Sequence, residues 1–270
     1  MAVWGPDAPP REALLSYVIA PPRALRWYDV FLLPLGAFVF TALAGGAALL
    51  ADRDIFRTGF DTWGMWVPDF EAAWFLYTVE IAFYAGFIAT GVALLAFRGH
   101  RLSGTWFPRI RAGSVLAAVG VGAVFALSFM WALSMFPAET QQQLMEQSDL
   151  LSPSGGGEAL MLAVVAVLLA PVAEELYFRG VLFRLLSARL SFVWSAGITA
   201  LLFSLSHGHL FALPGLGGWM LTAMLFAVGF VLAAFAWVTG SLRAPAIMHG
   251  AYNAVMLGPS ILFAFTGVPV

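Results

Sequence analysis

Residues 159–179 read ALMLAVVAVLLAPVAEELYFR: fifteen uncharged residues, Ala159 to Ala173, run directly into the adjacent carboxylates Glu174 and Glu175. No position in that run is polar, and a helix that is apolar all round belongs in a membrane or a large core. A bilayer core of about 30 Å takes roughly 20 such residues per helix. Working outward, the same kind of run recurs between charges and Pro/Gly turns. Seven runs result, near Val30–Ala51, Ala72–Phe97, Ala112–Phe136, Ala159–Leu186, Phe192–Leu213, Leu216–Val238 and Ala246–Val268. The expected fold is therefore all-α, a polytopic transmembrane helical bundle of seven helices with room for an eighth, in one membrane domain over residues 29–270. Residues 1–28, with their paired prolines, are expected to form an irregular or amphipathic lead-in. The first run is too long for the apolar region of a signal peptide and no clear small-residue cleavage site follows it, so it is expected to stay as an anchor.

Composition narrows the function classes. The 270 residues are 61% hydrophobic and 10% charged, with a mean hydropathy of +0.88, whereas soluble domains are about a quarter charged. Cysteine is absent, which excludes disulfides and thiol-based catalysis. All 13 basic residues are arginines scattered between apolar runs, so nothing suggests nucleic-acid binding. If the N-terminus is cytosolic, Arg11, Arg23, Arg26, Arg98, Arg101, Arg109, Arg111, Arg179, Arg184, Arg189 and Arg243 fall on the inner side and only Arg53 and Arg57 outside. That asymmetry predicts an N-in, C-out topology. The pairs Gly45-Gly46 and Gly120/Gly122 mark expected close approaches between helices.

Charge inside a membrane helix is costly, so each intramembrane ionisable group is a candidate for function. On the fourth helix Glu174 and Glu175 point about 100° apart, and Arg179 follows Glu175 by four residues on the same face, so these two can pair and leave Glu174 to face a cavity. The fifth helix presents Phe203 and His207 at the same spacing. With the hairpin turning near Leu190, Glu174 and His207 stand roughly 23 to 26 Å from the turn, and the arginines at the hairpin tip suggest that it projects into the cytosol. The seventh helix contributes His249 and Asn253, again four apart, one to two turns below the cytosolic surface. Each of these groups alone reads as packing glue; two acids, two histidines and an asparagine at matched depth on three helices read as a site. Glu80 in the second helix is taken as structural, His209 as lying off the His207 face, and His100 as interfacial. Ser204 and Ser206 are read as packing groups.

These residues resemble the motifs of the CPBP family, the CAAX-protease and bacteriocin-processing intramembrane proteins that include Rce1-like proteases. Glu174, Glu175 and Arg179 match the two-glutamate and arginine motif, Phe203 and His207 the aromatic-histidine motif, and His249 and Asn253 the third, preceded by Gly240-Ser241-Leu242-x-Ala244-Pro245. The resemblance runs from about Ala159 to Leu257, a catalytic module near 158–257, and implies a membrane endopeptidase. In chemical terms, Glu174 would act as general base, His207 would hold the water and shuttle the proton, and His249 with Asn253 would receive the oxyanion. Glu175, Arg179 and Phe203 would support them.

A metal-dependent version stays open, because Glu174, His207 and His249 could in principle ligate zinc, although no His-Glu-x-x-His motif is present. The metal-free version, without cofactor, is preferred. The expected partners are a peptide or protein substrate, one bearing a lipid at its C-terminus if the chain is a prenyl protease, together with membrane lipids. Short loops suit a bacterial inner membrane, with the active site towards the cytosol. Two other classes compete: a non-catalytic scaffold or immunity protein of the same family, and a proton-coupled transporter, which would be expected to show repeated halves with interrupted helices.

Overall fold

The computed structural model describes residues 25–51, 57–60, 66–68, 73–97, 106–141, 153–212 and 215–266. Nearly all of the expected lead-in, His100 and the topology arginines Arg11, Arg23, Arg53, Arg98 and Arg101 lie outside them. Among the described residues, six helices are long and apolar enough to cross a membrane. They are α1 (Asp29–Ala51), α2 (Ala73–Phe97), α3 (Ala112–Ser134), α4 (Gly156–Ser187), α7 (Leu216–Thr239) and α8 (Arg243–Thr266). Between α4 and α7 lie a shorter apolar helix, α5 (Phe192–Ser206), and one further turn, α6 (His209–Ala212). The connection from α1 to α2 carries a small antiparallel ribbon, β1 (Arg57–Phe60) against β2 (Trp66–Pro68). The chain is thus an all-helical membrane bundle apart from this ribbon.

The expected fifth span, Phe192–Leu213, is corrected by the structure. Gly208 takes the left-handed conformation, φ 75°, and its N–H closes the last turn on Leu205 O at 3.0 Å. Only glycine adopts that conformation without cost, so α5 stops after 15 residues, about 22 Å. Its apolar sequence continues to Ala212, but as a separate turn.

α4 runs through the middle of the bundle, against α2 on one side and α8 on the other, and meets α5 near its later turns; α1 packs on α2, α3 on α8, and α5 on α7. The outward faces of α1, α3 and α5 present large apolar side chains such as Phe38, Leu127 and Trp194, as a surface facing lipid tails must. Some backbones approach closely. A Cβ on Gly122 would collide with Met248 O, and one on Gly250 would lie 2.7 Å from Val167 O. Gly122 thus behaves as expected, whereas Gly120 and Gly46 face open space and Gly45 makes ordinary contact.

α4 is not a uniform helix. Its 32 residues contain two π-helical stretches, Val164–Leu169 and Leu176–Leu182, which flank the segment Ala170–Glu175. The first has an identifiable origin: Pro171 has no N–H to donate to Val167 O and its ring crowds that carbonyl, so the preceding turn widens. Such bulges recur at functional sites. At about 48 Å, α4 also exceeds a hydrocarbon core of about 30 Å.

Candidate active site

Glu174 and Glu175 sit at the end of the α-helical segment between the two π-helical stretches of α4. Glu175 and Arg179 are fully buried, and the guanidinium donates to Glu175 Oε1 at 2.6 Å. A buried ion pair is costly unless its remaining donors are satisfied. Arg179 meets this in part by donating a second hydrogen bond, from Nη2 to Gly229 O of α7 at 2.7 Å, and by lying over the Phe203 ring with its Cζ 4.8 Å from the centroid, while its Nε and Glu175 Oε2 stay buried without a hydrogen bond. Arg179 therefore ties α4 to α7 and α5 while Glu174, beside it, is left to other partners.

His207 is the residue on which α5 ends. Its Nδ1 lies 2.8 Å from Phe203 O. A carbonyl only accepts, so Nδ1 carries the hydrogen and Nε2 is the free acceptor of the neutral ring. The ring packs on Phe203, centroids 4.7 Å apart, and Phe203 also meets His249 at 5.6 Å. The fully buried Phe203 is thus the common floor under Arg179 and both histidines. A helix that breaks at membrane depth needs its backbone satisfied by protein or by a water-filled cavity, and a cavity is what lies beside His207.

That cavity has a volume of about 380 Å³, and Glu174 and His207 both line it. The rest of its wall is mostly apolar and aromatic, Pro34 of α1, Phe83 and Phe87 of α2 and Ala173, Tyr177 and Phe178 of α4, with Tyr84 and Ser206 as its further polar members. Edge-to-face ring contacts run without a gap from Phe83 through Phe87, Tyr177, Phe178 and Phe203 to His207. This geometry places one carboxylate and one imidazole with a free acceptor nitrogen at the edge of an aromatic chamber.

His249 and Asn253 arrive from α8. His249 is buried between the two glutamates, with Nε2 4.0 Å from Glu174 Oε2 and Nδ1 3.4 Å from Glu175 Oε1. Asn253 donates from Nδ2 to Ala166 O at 2.7 Å, within the first π-helical stretch. Its second amide hydrogen remains available. His249 comes six residues after the start of α8, about 9 Å along the axis, so the histidine and Glu174 meet one to two turns from that helix end.

Tyr84 was not singled out in the sequence. Its hydroxyl, from α2, donates to Glu174 Oε1 at 3.4 Å. A tyrosine in an apolar helix carries no local signal of function; only its spacing from Glu80, one helical turn earlier, hinted at a polar side of α2. Glu80 itself is exposed. Ser204 and Ser206 hydrogen-bond back to Leu201 O and Phe203 O of their own helix, the usual habit of serine in apolar helices. His209 corrects expectation: it does not lie apart from His207 but stacks on it, centroids 6.3 Å apart at 29°. Among the described residues, no three His, Asp or Glu side chains converge as a ligand set. Glu174, His207 and His249 do not form a ligand set among these residues.

A family model described as type II CAAX prenyl endopeptidase, Rce1-like, matches residues 156–255. The matched segment contains α4, α5, α7 and most of α8, with every site residue except Tyr84 and the α1 and α2 wall. No curated protein and no solved structure matches the chain.

Proposed function

From the premise that residues 156–255 are an Rce1-like domain, consistent with a CPBP-family protease, we propose that this multi-pass membrane protein hydrolyses a peptide bond at the Glu174/His207 cavity by a glutamate-activated water. The observation that carries this reading is the convergence of the two side chains, from α4 and α5, on one cavity with a mostly aromatic wall.

The mechanism follows from the donors and acceptors in place. A water between Glu174 and the free Nε2 of His207 loses a proton to Glu174 as its oxygen adds to the scissile carbonyl carbon. The oxyanion that forms is met by His249 Nε2, with the free amide hydrogen of Asn253 as a second donor. Collapse breaks the C–N bond, and the proton passes through His207 to the leaving amine. Glu175 and Arg179 take no proton; they hold α4 against α7. The aromatic wall favours a substrate with a bulky apolar group, and a lipid-modified C-terminus delivered from the cytosolic leaflet fits both the wall and the positive-inside topology. A bacterial inner membrane, with the site towards the cytosol, is a setting that suits this reading.

The test is cleavage of a quenched farnesylated CAAX peptide by detergent-purified protein. Wild type should cleave, Glu174→Ala should lose at least a hundredfold in rate, on the order of what a general base contributes, and a chelator should leave wild type unaffected. Full activity in Glu174→Ala would overturn the mechanism. Loss of activity on chelation, restored by zinc, would replace it with metal-assisted hydrolysis. A membrane phenotype indifferent to Glu174 would favour the scaffold.

A further inference from the structure

The proposed mechanism leaves open what aims Glu174. A carboxylate that abstracts a proton must present one oxygen to the water and keep the other from rotating away, because small misplacements of a catalytic group cost large factors in rate. The neighbouring side-chain nitrogens direct their hydrogen bonds elsewhere. Arg179 Nη1 and Nη2 go to Glu175 and Gly229, Asn253 gives one hydrogen to Ala166 O, and His207 Nδ1 is bound to Phe203 O. Glu174 Oε2 is buried without a hydrogen bond, and His249 Nε2 stands off at 4.0 Å. Tyr84 alone among the described residues donates a hydrogen bond to this carboxylate, at Oε1.

We propose that Tyr84 is a positioning residue for the proton-abstracting Glu174: its hydroxyl, at the cavity wall, clamps Oε1 from α2 and so fixes the carboxylate at the cavity edge, with the buried Oε2 turned inward to His249. This rests on Glu174 being the base. Three features support the assignment. The hydroxyl is 3.4 Å from Oε1, long for such a bond, and catalytic hydrogen bonds in unliganded sites are commonly long and shorten with substrate in place. The Tyr84 ring is fixed edge-to-face on Phe83 at 5.5 Å, with Phe83 in turn on Phe87 at 5.0 Å, so the donor belongs to the rigid aromatic wall. Finally, α2 lies outside the segment matched by the family model, so this clamp adds a helix from elsewhere in the chain to the catalytic set. Occupation of the chamber by an apolar group presses on the same wall, and substrate binding and base alignment become coupled through one side chain.

The experiment is steady-state cleavage of the farnesylated CAAX peptide by full-length wild type, Tyr84→Phe, Glu174→Ala and the double variant, all reconstituted in the same lipid. Tyr84→Phe should lower kcat about tenfold to a hundredfold with KM within about twofold, and should lower the residual rate of Glu174→Ala no further, since groups that act as a unit are non-additive. A Tyr84→Phe kcat within about twofold of wild type, a loss confined to KM, or a full loss added on top of Glu174→Ala would each overturn the proposal, while leaving the base assignment intact. Wild-type rates in Glu174→Ala, or no cleavage by wild type, would overturn the base assignment itself and this proposal with it. If Tyr84→Phe does not accumulate in the membrane, Tyr84→Leu, which also lacks the donor, is read by the same criteria.

Discussion

Arg179 concentrates the energetics of the site in one side chain. It lies at 1% exposure, paired with a Glu175 at 0%, in a setting where an uncompensated charge costs far more than a lost contact. Replacing it by methionine keeps the volume but strands the Glu175 carboxylate. Arg179→Met should destabilise the protein by about 3–5 kcal/mol, read as a lowered Tm in detergent, and the double change Arg179→Met, Glu175→Leu should recover much of that loss because neither charge then remains buried. At this scale the sequence was informative wherever polarity broke an apolar pattern: Glu174, Glu175, Arg179, His207 and His249 stood out because a membrane penalises them. Tyr84 did not, because an amphipathic ring is unremarkable in a span and its partner lies 90 residues away. The stacking of His209 on His207 was hidden for a related reason, since it depends on a turn at Gly208 that periodicity alone treated as continuing helix.

The element that most shapes the site is the packing of α8 along α4. Gly250 sits where the bulged turn of α4 turns Val167 O outward, and a methyl group there would lie 2.7 Å from that oxygen. Gly250→Ala should therefore push the helices apart, costing about 1–3 kcal/mol and moving His249 off Glu174. Thermal unfolding and peptide cleavage should fall together, whereas Gly120→Ala, which faces open space, should change neither. The existence and order of the long helices were legible because runs of about 20 apolar residues admit few alternatives. Their internal irregularities were not. The π-helical stretches change the apolar pattern too little to be seen, although Pro171 marked where the α4 hydrogen bonding had to fail. The early end of α5 was masked by Leu210, Phe211 and Ala212, which prolong an apolar run past the point where the backbone turns.

For the molecule as a whole, topology decides from which side substrate arrives. On the N-in topology proposed from the arginine asymmetry the α4–α5 hairpin faces the cytosol, and the absence of cysteine makes this directly testable. Ser191 is exposed in that hairpin and makes no capping hydrogen bond, so Ser191→Cys should be tolerated. A membrane-impermeant maleimide should label it in inverted vesicles and not in intact cells; the opposite pattern would reverse the orientation and place the cavity on the other side. The bundle's order along the chain has a further implication, for biogenesis. Arg179 on α4 finds its second acceptor, Gly229, fifty residues later on α7, and Glu174 meets His249 only once α8 has been made. During synthesis, α4 therefore enters the membrane with its carboxylates and guanidinium only partly reconciled, and the proposed hydrolytic constellation closes when the later helices dock. On that proposal a nascent chain is inert until then, and a ribosome translating this protein would not expose its neighbours in the membrane to a half-built protease.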